Sequence, residues 1–147
     1  MLIREAVEKD IPEVLRLLES IDGESEMDSG NALNIWNRMT HYPFYKVLVV
    51  EDDGRLIGTC SLIIIDNLGH NGAKLAVVES VVVGENHRGH GVGKLMMNHV
   101  MSLAKREKCY KLMLSSNKKR IMAHKFYHNL GFKQHGISFM VEVNPND

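Results

Sequence analysis

The residues with the clearest chemical meaning lie in the segment Val83–Lys94, where glycine alternates with charged and polar side chains. Gly89, Gly91 and Gly93 stand at every second position, directly after Arg88. Glycine tolerates positive φ angles and lets a ligand approach the main chain closely. Successive N–H groups of such a turn bind anions, and a helix that begins there adds its unpaired N–H groups and its dipole. The segment therefore predicts a site for a diphosphate.

Two common phosphate-binding patterns are excluded by the spacing. A Walker loop needs Gly-Lys followed by Ser or Thr, but Lys94 precedes Leu95, and Arg88 stands where the first glycine should be. A dinucleotide fingerprint needs its third glycine one residue after Gly93. The pattern that remains is Arg-x-x-Gly-x-Gly, formed by Arg88, Gly91 and Gly93. A glycine-rich hairpin that binds nothing is the alternative.

Glu79 is the best candidate for a general base. It interrupts the apolar run Leu75–Val83, and strand alternation places it on the face of Val77, Val81 and Val83. A carboxylate among valines costs free energy unless it is solvated or paired. We therefore expect Glu79 to accept a proton or to bind a cationic substrate. The alternative is a glutamate at a strand end, paired with a lysine or an arginine.

Hydrophobic periodicity predicts the elements that position these residues. Asp10 is expected to cap the first helix, residues 52–54 to form a hairpin turn, and Gly131 to end the last helix in the left-handed conformation. The predicted helices are Ile11–Ile21, Asn31–Met39, Leu95–Lys108 and Met122–Leu130. The predicted strands are Leu2–Ala6, Tyr45–Glu51, Leu56–Asp66, Ala73–Val83, Leu112–Ser115 and Phe132–Val143. This order predicts a mixed α/β fold in a single domain, residues 1–147.

The composition narrows the class of protein. A chain of 147 residues with 44% hydrophobic side chains has the size of one domain with a buried core. Its 18 basic residues balance 18 acidic ones, whereas a nucleic-acid-binding protein normally has a basic excess. No apolar run approaches the length that spans a membrane. Cys60 and Cys109 suggest neither a disulfide framework nor a zinc site, so we expect a cytoplasmic protein without a metal.

A second motif lies later in the chain, where Ala123, Phe126 and Tyr127 precede Gly131 and Phe132. Together the two motifs resemble the signatures of the GNAT superfamily of N-acetyltransferases, and the likeness extends over essentially the whole chain. The resemblance implies a GNAT fold, with antiparallel N-terminal strands and a splayed parallel pair of strands flanked by helices. It also implies acetyl-coenzyme A (acetyl-CoA) as the cosubstrate and an amine as the acceptor.

The resemblance also implies roles for single residues. The pyrophosphate of coenzyme A would lie on the turn and the helix start, that is, on Arg88, Gly89, His90, Gly91, Val92, Gly93 and Lys94. The end of the preceding strand would contact the pantetheine arm and the thioester through Val81, Val82 and Val83, and an N–H near Val81 would stabilise the oxyanion. Tyr127 would protonate the leaving thiolate. The alternative for Tyr127 is an aromatic side chain that only packs.

One position departs from the family pattern. Many members carry an asparagine seven residues before the tyrosine, where this chain has Arg120. Asn117 lies nearby in sequence, so both side chains are candidates for contacting coenzyme A. The stretch from Asn117 to Tyr127 resembles a subgroup that acetylates aminoalkylphosphonates and other small amines.

Carboxylates concentrate between the first two predicted helices, in a segment that borders the acceptor site in this family: Glu19, Asp22, Glu24, Glu26 and Asp28. They would favour a cationic acceptor such as a polyamine, an aminoglycoside or a lysine, and a solvated loop is the alternative. We predict direct acetyl transfer from acetyl-CoA to a small primary amine in a ternary complex.

Two other functions stay open at this point. Acetylation of a protein N-terminus or lysine would need an open groove rather than a pocket closed by the segment Ile21–Phe44. An acetyl-CoA-binding sensor would need no turnover, and Tyr127 and Glu79 would then have no role. A homodimer is compatible with the family, and neither a nucleic acid nor a membrane is an expected partner.

Overall fold

The computed structural model describes residues 1–22 and 27–146, which fall into two compact units, Met1–Leu114 and Ser115–Asp147. The strands of the described residues all lie in the first unit: β1 Leu2–Glu5, β2 Tyr45–Asp52, β3 Arg55–Ile65, β4 Lys74–Val83 and β5 Cys109–Met113. The same unit contains α1 Ile11–Asp22, α2 Ser29–Met39 and α3 Val92–Arg106, and the second unit contains α4 Ile121–Asn129. The prediction of one domain for residues 1–147 stays a prediction.

The strands form one mixed sheet in the order β1-β2-β3-β4-β5. The first four strands are antiparallel to their neighbours, and β5 is parallel to β4. The hairpin between β2 and β3 turns at Asp53 and Gly54, whose φ angles of 46° and 74° are those that a two-residue hairpin requires. The α/β class and the mixed sheet predicted from the sequence are confirmed.

The parallel pair is short. Its register runs from Lys74 opposite Cys109 to Val77 opposite Met113, and β5 ends there. β4 continues to Val83, paired with β3 alone. The two parallel strands therefore separate as predicted: six residues of β4, 78–83, have no β5 partner.

Helix α1 is fixed to the sheet by apolar packing and by one ionic network. Leu17 packs in a buried cluster with Val49, Leu56 and Val82. Before the helix, Arg4 of β1 donates to both carboxylate oxygens of Asp10, at 2.6 and 3.1 Å. Asp10 stands directly before α1, and its carboxylate accepts from the preceding Val7 N–H (2.8 Å), which joins a short turn to β1. A bond from Asp10 to the first turn of α1 stays a prediction.

Two predicted boundaries shift because left-handed residues are hard to foresee. Lys108 has a φ of 58°, which ends the turn after α3 and lets β5 begin at Cys109, three residues before the predicted start. Helix α3 begins at Val92 instead of Leu95 because Gly91, with a φ of 84°, is its N-cap.

The predicted final strand, Phe132–Val143, is wrong: this segment forms no strand among the described residues. Its apolar side chains are exposed, by 79% at Ile137 and 90% at Phe139. Alternation of apolar residues provides a face that can be buried, but a strand forms only beside a hydrogen-bonding neighbour.

The described part of the chain was expected to have neither a membrane-spanning helix nor a disulfide. None of its helices is long and apolar enough to cross a membrane. Cys60 is buried and Cys109 half-buried, and both are free thiols. Burial raises the pKa of the Cys60 thiol to about 12, so this thiol stays protonated and is a poor nucleophile.

Candidate functional site

The glycine-rich turn leaves β4 through a short 3₁₀ turn, Glu85–His87, and reaches α3 through two left-handed glycines. Gly89 and Gly91 have φ angles of 77° and 84°, a conformation that side chains other than glycine rarely adopt. A Cβ atom at either position would meet nothing within 4 Å. These two glycines therefore serve the backbone shape, and the space in front of them is open to a ligand.

The first turn of α3 presents unpaired donors at this turn. Its N-cap residue, Gly91, has no side chain to accept from them, and the first helical bond runs from Leu95 N to Gly91 O at 2.9 Å. The N–H groups of Val92, Gly93 and Lys94 precede that bond and so have no acceptor within the helix. Together with the positive end of the helix dipole, these N–H groups form an anion site.

Packing on the sheet, and not a cap, fixes the position of this helix start. Six side chains of α3 are buried: Val92, Met96, Met97, Val100, Leu103 and Ala104. Burying one large apolar side chain contributes about 1.5–3 kcal/mol, whereas a capping side chain contributes about 1 kcal/mol. The helix can therefore dispense with a cap and leave its amides to a ligand.

The cations of the turn are exposed. Arg88 donates from Nε to the Val83 carbonyl at 3.3 Å, which leaves the outer guanidinium nitrogens facing solvent. Nδ1 of His90 lies 2.8 Å from the Arg88 carbonyl, so this ring is held against its own turn. Lys94 is exposed and has no carboxylate within ion-pair distance in the described residues. Arg88 and Lys94 can therefore supply charge to a bound phosphate.

A β-bulge interrupts β4 directly before the turn. Glu79 lies opposite Ser61 and Val82 opposite Thr59, so β4 takes three steps where β3 takes two. Ser80 has a φ of 53°, which is costly for a residue other than glycine and persists where the surrounding structure enforces it. Bulges of this kind redirect side chains and are frequent beside active sites.

The bulge corrects the predicted orientation of Glu79. Since cross-strand partners share a face, the register places Glu79 on the face of Val77 and Val82, and it places Val83 on the opposite face. A single extra residue in a strand reverses the alternation, and nothing in the sequence of the strand marks Ser80 as that residue.

Glu79 itself is exposed and has no ion pair within the described residues. The pairing with a lysine or an arginine that was the alternative is thus not formed by the described side chains. A solvated carboxylate beside a free strand edge can receive a proton or attract a cationic amine.

The three valines that end β4 differ in what they offer a ligand. The Val82 side chain is buried in the cluster around Leu17, so only its main chain is available. Val81 and Val83 are half-buried. Because residues 78–83 have no β5 partner, the β4 edge that faces away from β3 presents main-chain groups on which an extended arm can lie.

In the second unit, Tyr127 lies on α4 and packs against two aromatic rings. Its ring meets those of Phe126 and Phe132 edge-on, with centroids 5.2 and 5.7 Å apart. Gly131 ends the helix with a φ of 92°, as predicted, and Phe132 N bonds to the Tyr127 carbonyl at 3.1 Å. The motif thus fixes the tyrosine main chain, and the ring is half-buried.

Asn117 and Arg120, the two candidates for contacting coenzyme A before α4, have different surroundings. Asn117 organises its own loop, because its side-chain oxygen accepts from Lys119 N and its carbonyl from Arg120 N, both at 2.9 Å. His124 Nε2 lies 2.9 Å from the same carbonyl. Arg120 is exposed at the N-cap position of α4. The Arg120 side chain is the freer of the two to meet a ligand.

Sequence reasoning missed Ser116, which precedes this loop. Its hydroxyl oxygen is buried and has no hydrogen-bond partner among the described residues. Leaving such a group unpaired costs about 1–3 kcal/mol, which a ligand acceptor could offset. A serine in a polar stretch carries no sequence signal of this kind, so only the structure reveals it.

Part of the predicted acidic cluster can be placed. Asp28 is the N-cap of α2 and accepts from Asn31 N at 3.1 Å, which gives it a structural role. Glu19 lies on α1. Glu24 and Glu26 lie outside the described residues, as does the side chain of Asp22. Attraction of a cationic acceptor by this cluster stays a prediction.

Two features of the described residues characterise this site. The first amides of α3 have no acceptor within the helix, and residues 78–83 of β4 have no β5 partner. A model of the acetyltransferase (GNAT) family matches residues 11–132, from the start of α1 to the residue after Gly131. The chain belongs to the GNAT acetyltransferase family. Both GNAT motifs predicted from the sequence lie inside the matched range.

Several members of the GNAT family are similar to this chain. Glucosamine 6-phosphate N-acetyltransferase of Trypanosoma brucei brucei is 33% identical over 90 residues, 61% of this chain and 59% of that protein. A "Probable glucosamine 6-phosphate N-acetyltransferase" of Drosophila melanogaster is 34% identical over 120 residues, 80% of this chain and 53% of that protein. The chain thus spans between 53% and 59% of these curated relatives.

A solved structure gives the same fold. The crystal structure of a Trypanosoma brucei acetyltransferase superimposes with a TM-score of 0.86 at 26% identity, covering 97% of this chain and 99% of that one. The GNAT fold predicted from the sequence is therefore confirmed.

Proposed function

We propose that this protein transfers an acetyl group from acetyl-CoA to the primary amine of a small molecule, directly, in a ternary complex. One observation carries the proposal: the N–H groups of Val92, Gly93 and Lys94, which have no acceptor within α3, open onto a turn that two left-handed glycines keep free of side chains. Two linked phosphates are the ligand chemistry that such a cradle, with Arg88 beside it, favours.

Binding at this cradle aligns the rest of the cosubstrate with β4. Gly89, His90 and Gly91 supply main chain around the phosphates, and the free edge at Val81–Val83 receives the pantetheine arm. The thioester carbonyl then lies near the bulge, where a main-chain N–H of β4 stabilises the oxyanion that forms during attack. Asn117 and Arg120 contact the outer part of coenzyme A, Arg120 through its charge.

Starting from the ammonium form of the acceptor, acetyl transfer removes two protons from nitrogen and adds one to sulfur. An alkyl amine has a pKa of about 10.4 and is mostly protonated near neutral pH, so a base must remove a proton before attack. Glu79 accepts this proton, directly or through water, and the neutral amine then attacks. As the N–C bond forms and the C–S bond breaks, nitrogen loses its second proton to solvent. Tyr127 gives its phenolic proton to the leaving sulfur and regains one from solvent.

The acceptor is proposed to be a small amine, and an amino sugar phosphate is the first candidate. Two relatives bear the name glucosamine 6-phosphate N-acetyltransferase, which states an amine and a phosphate in one small molecule. A polyamine or an aminoglycoside follows, because the carboxylates between α1 and α2 would attract its charge.

A thiol-release assay with acetyl-CoA tests the function. The panel contains glucosamine 6-phosphate, spermidine, an aminoglycoside, an aminoalkylphosphonate and peptides with free N-termini. We expect coenzyme A release with at least one small amine and none above background with peptides. Turnover confined to peptides would make the protein a protein N-acetyltransferase, and binding of acetyl-CoA without turnover would make it a sensor.

We further propose a cytoplasmic site of action without a nucleic-acid or membrane partner. Two free thiols are typical of a reducing compartment. The balance of 18 basic and 18 acidic residues offers no electrostatic attraction to a polyanion.

A further inference from the structure

Gly58 of β3 lies under the start of α3 at a distance that excludes any side chain. A Cβ atom at this position would lie 2.9 Å from Cγ1 of Val92, 3.3 Å from the Val82 carbonyl oxygen and 3.4 Å from Cε of Met96. Carbon atoms in contact normally lie about 3.5–4.0 Å apart. The first of these distances therefore requires Val92 to move by about half an ångström or more.

Val92 cannot relieve this contact alone. Its side chain is 1% exposed, so it has no open space to rotate into, and β-branched side chains are held to one χ1 rotamer in helices. Met96 is flexible at its end and could adjust, but Val92 belongs to the first turn of α3. A shift of Val92 is thus a shift of the helix start.

The need for glycine at position 58 arises from the lack of space for a side chain, and not from the backbone conformation. The glycines with left-handed φ angles are Gly54, Gly72, Gly89, Gly91 and Gly131, and Gly58 is not among them. Any residue could adopt the backbone of Gly58, yet only glycine leaves room for Val92.

Gly58 also lies beside both ends of the phosphate turn. It is the register partner of Val83, the last residue of β4, and its neighbour Ile57 accepts a hydrogen bond from Gly84 N at 2.8 Å. Val92, at the far end of the turn, packs directly over it. One residue of β3 therefore sets the spacing between the exit from β4 and the entry into α3.

We propose that Gly58 is a positioning residue for acetyl-CoA binding: its missing side chain seats Val92 against the sheet and thereby places the amides of Val92, Gly93 and Lys94 where the pyrophosphate binds. The inference rests on the proposed function of the turn. Gly58 itself does not touch the cosubstrate.

The test compares Gly58→Ala with wild type by calorimetric titration of acetyl-CoA and by steady-state kinetics. A shift of the three amides by about half an ångström would weaken their hydrogen bonds to the charged pyrophosphate, so the Kd and KM for acetyl-CoA are expected to rise roughly tenfold. The kcat at saturating acetyl-CoA and the KM for the amine should stay near wild type. A merely structural defect would lower the active fraction and leave the KM values unchanged.

Two further variants provide the controls. Gly69→Ala adds the same methyl group at an exposed loop glycine with a φ of −69° and no atom nearer than 3.4 Å, and it should bind acetyl-CoA like wild type. Val92→Ala removes both γ-methyl groups, including the Cγ1 that the Cβ of Gly58→Ala would meet. The double variant should therefore bind acetyl-CoA as tightly as Val92→Ala alone, and this comparison also decides the matter if Gly58→Ala fails to fold.

Wild-type affinity in Gly58→Ala, or a double variant that binds no better than Gly58→Ala, would overturn the inference. Failure of the proposed site looks different: Gly91→Asp would then leave acetyl-CoA binding unchanged, whatever happens at Gly58. Loss of binding in Gly91→Asp with no effect at Gly58 would reject the positioning role and retain the site.

Discussion

At the scale of single residues, Gly91 combines two properties that make it sensitive to substitution. Its φ of 84° strains any side chain, and the space before it is open for a phosphate. In Gly91→Asp, a carboxylate would face the bound anion, and like charges brought together cost several kcal/mol. We expect the affinity for acetyl-CoA to fall about 100-fold or more, measured by calorimetric titration.

The control for this prediction is Gly54→Asp. Gly54 has a φ of 74° and equally open surroundings, but it lies in the β2–β3 hairpin. This variant introduces the same strain and charge away from the turn, so it should bind acetyl-CoA like wild type. Equal losses in both variants would indicate a general effect on folding.

Tyr127 is a second residue with a separable role. Tyr127→Phe keeps the edge-on packing with Phe126 and Phe132 and removes only the hydroxyl. General acids contribute about 100-fold or more to a rate, so we expect kcat to fall by about that factor while the Kd for acetyl-CoA stays constant. Tyr110→Phe, at an exposed ring on β5, is the matched control. Equal changes in kcat and Kd would reduce Tyr127 to a packing residue.

The kind of ligand that the candidate site binds could be predicted from the sequence, but the orientation of its side chains could not. Arg88, Gly91 and Gly93 identify the phosphate turn because few other uses require that spacing. The face of Glu79 could not be predicted, since it depends on an extra residue at Ser80 that only the register with β3 reveals. Gly58 was invisible for a similar reason: its role depends on Val92, 34 positions away in sequence.

At the scale of elements, an ionic network that is partly buried joins β1 to the turn before α1. Arg4 bonds to Asp10 and also to Glu51 of β2, at 2.9 Å from Nε. The bonds from Arg4 hold the pKa of the Asp10 carboxyl below its usual value, and the Val7 N–H acts in the same direction, against desolvation. The network thus connects β1, β2 and the entry to α1.

This network predicts a pH dependence of stability. Because the folded pKa of Asp10 is depressed, its contribution is complete above the unfolded value of about 3.9 and is lost as the pH falls through the folded pKa. Asp10→Asn should lower the free energy of unfolding by about 2 kcal/mol at pH 7, measured in urea. The difference from wild type should shrink below about pH 4. A constant difference from pH 7 to pH 3 would contradict the assignment.

Periodicity predicted the elements whose partners are close in sequence. The hairpin of β2 and β3 follows from its turn residues, and α1, α3 and α4 follow from their apolar stripes. The start of β5 and the final strand were not predictable, because the first depends on a left-handed Lys108 and the second on a neighbour that the local sequence does not supply.

At the scale of the whole molecule, the end of the chain exposes an unusual number of large apolar side chains. Ile137, Phe139, Met140, Val141 and Val143 are each 79–90% exposed. Large exposed apolar patches mark interaction sites in folded proteins, and these side chains lie together in one short segment. We expect residues 137–143 to contact a second copy of the chain, in keeping with the homodimer anticipated from the family.

Light scattering tests this expectation. Wild type should have the mass of a dimer, and the double variant Phe139→Asp with Val141→Asp should be monomeric, because two buried carboxylates would oppose association. Leu68→Asp, at a fully exposed loop residue, should leave the mass unchanged. A monomeric wild type, or a dimer that survives both aspartates, would contradict the role of the segment.

The unpaired edge of β4 has a thermodynamic consequence. Among the described strands, β4 beyond Val77 has a neighbour on one side only, so an arm of cosubstrate that lay along residues 78–83 would complete the sheet in place of a strand. Ligand binding and folding are then linked: at 100 times its Kd, acetyl-CoA would add about 2.7 kcal/mol to the stability of the native state. If the proposed function holds, the lifetime of this protein in a cell would therefore follow the supply of acetyl-CoA.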